Sequence, residues 1–500
     1  MKKYLLPLLS IFIVSLASCS PSNSHVDTGR EGFLNFYAIN DYHGRISHNE
    51  TQNQNGISYV SNFLNEQKYN HELEYVFVSP GDLWQDTYES NSNKGKCLTE
   101  VMEEMNLEAL SLGNHEFDWG LDTIKENRSI ASKCEFLGAN IFYYDNENKV
   151  PLEQASDLAS PYKIIERNGY KIGLIGIIGE KQITSITSSI WENLTFVEPT
   201  EVVANYSDYL KSEENCDLVI LLAHASIDDL SLNFKNKLTS VSDISNKPYI
   251  DACFTAHSHN LENELINDIP FVQGQYAGKY VSHIEFDMRG EKPLVTTHET
   301  LLVESTKSDP KVDKIIDKYI TKEFKAKRDE IVCTFANQTK INTTYAGRLQ
   351  SYATYELLKD KAEELGIDLL LAMNNGGRDN AILNSDGTAT REMLFNITPF
   401  TNKTIIAKVS GQNLMTQIRN NRYYAPTKIT LVADQYYYIA CIDYVLLHKN
   451  SNRNLDNFPS FDGEIIYEET RFPDEIIYNY CLGKTIEKSF FTQKGFSNLS

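Results

Sequence analysis

Leu112-Gly113-Asn114-His115-Glu116-Phe117-Asp118-Trp119-Gly120 sets an amide, an imidazole and two carboxylates directly behind a short apolar run, Ala109 to Leu112. The same arrangement returns four more times before residue 260. Phe33 to Ile39 leads into Asn40-Asp41-Tyr42-His43, Tyr75 to Val78 into Gly81-Asp82, Leu218 to Leu222 into His224, and Ala252 to Thr255 into His257-Ser258-His259. Runs this apolar predict strands buried on both faces, and the segments between them, such as Cys97 to Met105, are long enough for crossover helices. Sheets of that kind collect ligands at the carboxyl ends of their strands. Tyr162 to Arg167 and Tyr170 to Ile178 flank Asn168-Gly169, which supplies the positive φ angles of a tight hairpin turn, so the sheets are expected to be mixed.

The chain is 500 residues long, 41% hydrophobic and 11% aromatic, which is globular and more than one core usually serves. Two domains are expected. A net charge of -21 argues against polymeric nucleic acid as a partner, because gripping a phosphate backbone takes clustered Lys and Arg. Residues 1–18 read as an export signal: two lysines, then an apolar run too short for an ordinary spanning helix, then small residues. Leu16-Ala17-Ser18-Cys19 resembles the bacterial lipobox, which implies cleavage before Cys19 and a lipid on its sulfur. Residues 19–32 would then be a lipidated tether, and the protein extracytoplasmic, anchored to a bacterial membrane at the cell surface or in the periplasm. The other seven cysteines (97, 134, 216, 253, 333, 441, 481) contain no CxxC, so no disulfide framework or zinc-thiolate site is legible.

Charges alternate with apolar residues at helical spacing from Asp309 to Ile331, which predicts one connecting helix and places the domain junction there. The expected division is 33–305, a linker at 306–330, and 331–500. Beyond the junction, Tyr345 to Leu365 reads as a helix, and Ile367 to Met373 and Thr404 to Val409 as strands.

A binuclear phosphoester centre needs carboxylate, amide and imidazole ligands converging on two cations roughly 3.5 to 4 Å apart, with one carboxylate between them. Taken singly, Asp41-Tyr42-His43 is a weak signal, Gly81-Asp82 can be a turn, and His257-Ser258-His259 a polar loop. The ordered set of DxH, GD, GNHEFD, a strand-end His and HSH resembles that of the calcineurin-like metallophosphatases, with GNHEFDWG its sharpest element. Lys94-Gly95-Lys96 and Pro161-Tyr162 extend the resemblance, over about residues 33 to 305, to bacterial 5'-nucleotidases and UDP-sugar hydrolases.

That resemblance implies an α/β (α+β) fold: a four-layer metallophosphatase β-sandwich flanked by helices, plus a smaller α/β 5'-nucleotidase C-terminal domain. It implies a first metal held by Asp41, His43, Asp82 and His259 and a second held by Asp82, Asn114, His224 and His257, with Asp82 the bridge. The ligand chemistry admits two divalent ions of zinc, manganese, cobalt or iron. His115 would lie beside the substrate with Asp118 bonded to its ring, a pairing that favours the imidazolium and suits it to stabilise transition-state charge or protonate the leaving group. Family members often have glycine in the fourth place after the GD aspartate, where this chain has Asp86.

In the second half, Met373 to Arg378 resembles the family's NGGGIR loop with one residue missing, which implies Asn374 and Arg378 at the substrate. Arg348 resembles a further substrate arginine. Pro399-Phe400-Thr401-Asn402 matches the PFxN stretch, whose phenylalanine stacks on the base and whose asparagine bonds nearby. Asp443-Tyr444 stands where a DFxxxGGD motif belongs, without its glycines or last aspartate, and makes Tyr444 the candidate opposing ring. The reading is an exported hydrolase that releases phosphate from nucleoside 5'-monophosphates, and from nucleotide sugars or di- and triphosphates. Two alternatives stay open: 2',3'-cyclic nucleotides or another phosphoester on the same centre, and an inactive surface binding lipoprotein.

Overall fold

The computed structural model describes residues 32–49, 54–71, 75–187, 190–374, 381–417, 422–447 and 464–498. Cys19, the expected signal peptide and Arg378 lie outside the described residues.

The apolar runs become the inner strands of two six-stranded sheets. In the first, Phe33–Ala38, Tyr75–Ser79, Leu107–Ser111 and Glu135–Leu137 run parallel, and the antiparallel pair Tyr280–Asp287 and Leu294–Leu302 closes one edge. In the second, Tyr170–Ile178, Leu218–His224, Ala252–Thr255 and Ile269–Gly274 run parallel, with Tyr162–Arg167 and Leu261–Ile266 antiparallel at the edges. Asn168 (φ 52) and Gly169 (φ 81) make the expected turn, pairing Arg167 with Tyr170.

The sheets face each other across Leu34, Phe36, Val76, Leu218, Ile220 and Phe254. Burial of each such side chain contributes about 2 kcal/mol, and it is two-sided because helices cover the outer faces. Ile57–His71, Lys96–Glu104 and Leu121–Ile130 cover the first sheet, and Pro199–Ser212 and Leu232–Leu238 the second. The result is the expected four-layer arrangement, and it puts the ends of the parallel strands along one rim.

The connecting segment differs from its sequence reading. Asp309 to Ile331 is not one helix but two, Pro310–Tyr319 and Lys322–Arg328, and Ile331 opens a strand. The break has a local cause: buried Ile320 leaves helical geometry (φ -98, ψ 60), and Thr321 caps the second helix by accepting the N–H of Phe324. The first helix packs on the sandwich, where the Asp309 carboxylate accepts bonds from Ser61 and Asn65.

The C-terminal part is built on a five-stranded mixed sheet ordered Tyr423–Tyr424, Leu369–Met373, Tyr436–Ile442, Thr404–Ser410 and Glu464–Glu469. The helix Thr343–Glu364 packs along it, and a three-stranded sheet stands beside it. All seven cysteines among the described residues are buried free thiols. No helix among the described residues is long and apolar enough to cross a membrane.

Candidate metal centre and substrate cavity

Five of the seven candidate ligands leave their strands in a conformation that L-residues seldom adopt. Asp41 (φ 47), His43 (φ 53), Asp82 (φ 57), His257 (φ 76) and His259 (φ 60) all lie in the left-handed region. Strain of this kind costs about 1 to 3 kcal/mol per residue and persists only where surrounding bonds enforce it. Those bonds are present: Asp41 N–H donates to Gly81 O (3.0 Å), His43 N–H to Asp82 O (3.1 Å), and His257 N–H to the Asp41 carboxylate (3.0 Å). Gly113 makes the approach possible, since a methyl group there would overlap the Asp82 carboxylate and the His224 ring.

Three overlapping groups result: Asp41, His43 and His259; His43, Asp82 and His115; and Asp82, His224 and His257. Within each, the donor atoms lie within 4.8 Å of one another. Asn114 completes the last group, its Oδ1 standing 3.1 Å from His224 Nε2 and 3.0 Å from His257 Nδ1. His43 Nε2 and His259 Nε2 point at each other across 2.9 Å. Ring nitrogens and carboxylate oxygens aimed at shared points are what cations of borderline hardness require, so the residues fit divalent metal ions. Outer bonds orient the rings: His224 Nδ1 donates to Pro80 O (3.0 Å) and His43 Nδ1 to Gln85 O (3.2 Å), which turns each Nε2 inward.

The protonation balance is correspondingly uneven. Burial raises Asp41 to about 7. Burial pushes Asp82 upward too, but the His224 and His115 imidazoles outweigh it and hold its carboxyl well below the usual range. Burial drives His43 well below its ordinary value and His257 to about 4, leaving both rings neutral and able to ligate.

His115 begins a 3-10 turn, and its Nδ1 bonds Asp118 Oδ2 at 2.8 Å. Burial works against its charged form, but the Asp118 and Asp82 carboxylates outweigh it and raise the ring to about 10. In front of it opens a cavity of about 850 Å³, walled by Asp82, Asn114 and His115 on one side and by Phe400, Asn402 and Tyr444 on the other.

Residues 34–261 match the model of the calcineurin-like phosphoesterases. That stretch, somewhat under half of the chain, carries the calcineurin-like phosphoesterase domain. Members of that family are metal-dependent phosphoric ester hydrolases, and the family implies divalent metal ions for the clusters above. The chain is 26% identical to human 5'-nucleotidase over 264 residues, which is 50% of this chain and 44% of that protein. It is 22% identical to the 5'-nucleotidase of Vibrio parahaemolyticus over 456 residues, 82% of this chain and 78% of the relative. A solved 5'-nucleotidase precursor from Thermus thermophilus superposes with a TM-score of 0.67 at 16% identity, over 91% of this chain and 99% of that one. That superposition shows a shared fold in both halves. The aligned regions span only 32% to 45% of the length of several curated relatives that the chain matches.

The second half of the chain reaches the cavity unevenly. The Phe400 loop is bonded to the sandwich, with Gln85 Nε2 donating to Pro399 O (2.6 Å), Thr401 Oγ1 to Asp118 O (2.7 Å) and Asn402 Nδ2 to Thr187 Oγ1 (2.9 Å). Arg348 is not among the described residues that line the cavity. Its guanidinium donates to Phe491 O and lies 5.3 Å over the Phe496 ring, drawn there by an aromatic C-terminal segment. Asn374, directly after its strand, is buried with its N–H on Arg422 O (3.1 Å), and is likewise not among the described lining residues.

Sequence reasoning passed over two buried residues. Asn40 donates to the Asp41 carboxylate (2.7 Å) and accepts from Gly274 N–H (2.9 Å), tying a ligand to a neighbouring strand. Glu116 accepts three backbone N–H groups beneath the cluster. The only available signal for either was a polar residue beside a ligand inside an apolar context. Asp86, the departure from the family's glycine, lies at φ 139 in a region that favours glycine, and its buried carboxylate pairs with Arg45 at 3.0 Å.

Proposed function

We propose that the protein is an extracytoplasmic hydrolase that uses two divalent cations to release phosphate from nucleoside 5'-monophosphates. One observation carries this reading: seven ligand-type residues converge beside His115, and four of them, Asp82, Asn114, His257 and His259, line a cavity that is also lined by Phe400, Asn402 and Tyr444. Asp41, His43, Asp82 and His259 would hold one cation, and Asp82, Asn114, His224 and His257 the other. When bound, the pair supplies electrophilic polarisation of a phosphoryl group and activation of water.

Asp118 fixes the His115 ring through Nδ1, which leaves the other ring nitrogen to stabilise charge on the phosphoryl oxygens or give a proton to the leaving oxygen. Phe400 and Tyr444 offer aromatic faces for a base. The size of the cavity supports nucleotide sugars and di- or triphosphates as further substrates. The position of Arg348, away from the cavity, favours keeping 2',3'-cyclic nucleotides or another phosphoester as a second reading. We further read residues 1–18 as a signal peptide, Cys19 as the lipid attachment site, 33–305 and 331–500 as the two domains, and 306–330 as their linker.

Phosphate release from a panel of nucleotides, cyclic nucleotides and aryl phosphates, before and after chelation and metal restoration, tests the activity. Hydrolysis undiminished by chelation would sink the two-cation mechanism. A panel led by a non-nucleotide ester would replace the substrate assignment.

A further inference from the structure

Glu116 is fully buried behind the cluster, yet it sits between the two loops that supply Asp82 and Asn114. Its Oε2 accepts the N–H groups of Asp82 (2.9 Å) and Gly113 (2.7 Å), and its Oε1 that of Leu83 (2.8 Å). The exchange is reciprocal, because Asp82 Oδ1 accepts the N–H of His115, the residue before Glu116, at 2.9 Å. Two chain segments 34 residues apart thus hold each other by carboxylate-to-backbone bonds, the same exchange that a capping box makes within one helix. The clamp enforces the left-handed backbone of Asp82 and fixes Gly113, directly before Asn114.

The side chains of the other candidate ligands are tied differently: the Asp41 carboxylate is held by Asn40 and the His257 N–H and the His43 ring by Gln85 O, while their backbone N–H groups bond Gly81 O and Asp82 O. Loss of the Glu116 clamp therefore falls hardest on Asp82 and Asn114, and Asn114 serves only the second cation.

We propose that Glu116 is a positioning residue that sets the affinity of the second cation subsite, formed by Asp82, Asn114, His224 and His257, by fixing the backbone from which Asp82 and Asn114 reach it. This rests on the two-cation reading above.

Titration with Mn(II), followed by calorimetry and by the EPR signal of a coupled manganese pair, tests it on the full chain. Wild type binds two Mn(II). Glu116→Gln, which keeps the shape but replaces one acceptor by an NH₂ donor, weakens the second Mn(II) about 10- to 100-fold and loses the coupled signal at equal metal, while the first shifts by less than about threefold. At saturating Mn(II), kcat is largely restored and KM is unchanged. Glu116→Asp keeps the charge with a shorter reach and gives an intermediate affinity, and it carries the same comparison should Glu116→Gln not fold. Equal weakening of both cations, or a lower Tm with neither weakened, overturns the positioning role alone. Fewer than two Mn(II) in wild type overturns the two-cation reading and this proposal together.

Discussion

The two walls of the cavity are built in opposite ways. On the sandwich side, five residues in left-handed geometry are pinned by backbone bonds and by buried Glu116 and Asn40. On the C-terminal side, Phe400 and Asn402 stand on a loop and Tyr444 on the short helix Asp443–Leu447, all half-buried beside the cavity, and single bonds such as Thr401 to Asp118 O join them to the sandwich. The difference teaches where tolerance lies. Donors converging on cations must be held to fractions of an ångström, whereas an aromatic face accepts a base over a range of offsets.

The contrast is broken most directly by Asp82→Ala. It should cost phosphate release at least about a thousandfold, about 4 kcal/mol, and remove bound metal, while circular dichroism and proteolysis show the C-terminal part still folded. Retained metal and activity would refute the bridging role. His115→Ala should lower kcat about 100-fold with little change in KM, and less for an aryl phosphate whose leaving group needs no proton. Equal losses on both substrates would assign His115 to charge stabilisation rather than to proton donation.

Phe400→Ala should raise KM for nucleotides about tenfold and leave a small aryl phosphate nearly unchanged. Parallel changes would show that Phe400 supports the loop and does not stack. The smallest effect on activity is expected from Asp443→Asn. Burial pushes the Asp443 carboxyl from its usual 3.8 to about 6, so the folded protein holds its proton more tightly than the unfolded chain does. The resulting stability is full below about pH 4 and falls as pH rises towards 6. Asp443→Asn should flatten that part of the Tm profile by a few °C. An unchanged slope would mean that Asp443 is ionised across the whole range.

The sandwich was legible because its signals are local. An apolar run ending on a ligand names both the strand and the residue at its tip, and Asn168-Gly169 names its turn. The second half was less legible. Phe400, Asn402 and Tyr444 line the cavity as their motifs implied, but Arg348 does not, because Phe491 and Phe496, more than 140 residues later, compete for its guanidinium. The linker misread had a similar origin: the helical periodicity runs straight through Ile320-Thr321, and only the burial of Ile320 and the Thr321 cap break it.

By itself the sequence determined the strand order of the ligands and the chemistry of the donors, since these depend on residue type and short spacing. Only the tertiary structure decided that Glu116 clamps two loops, that Asp86 pairs with Arg45, and which C-terminal residues line the cavity. Each of these depends on bonds between residues distant in the chain, and such bonds leave no pattern at any fixed spacing.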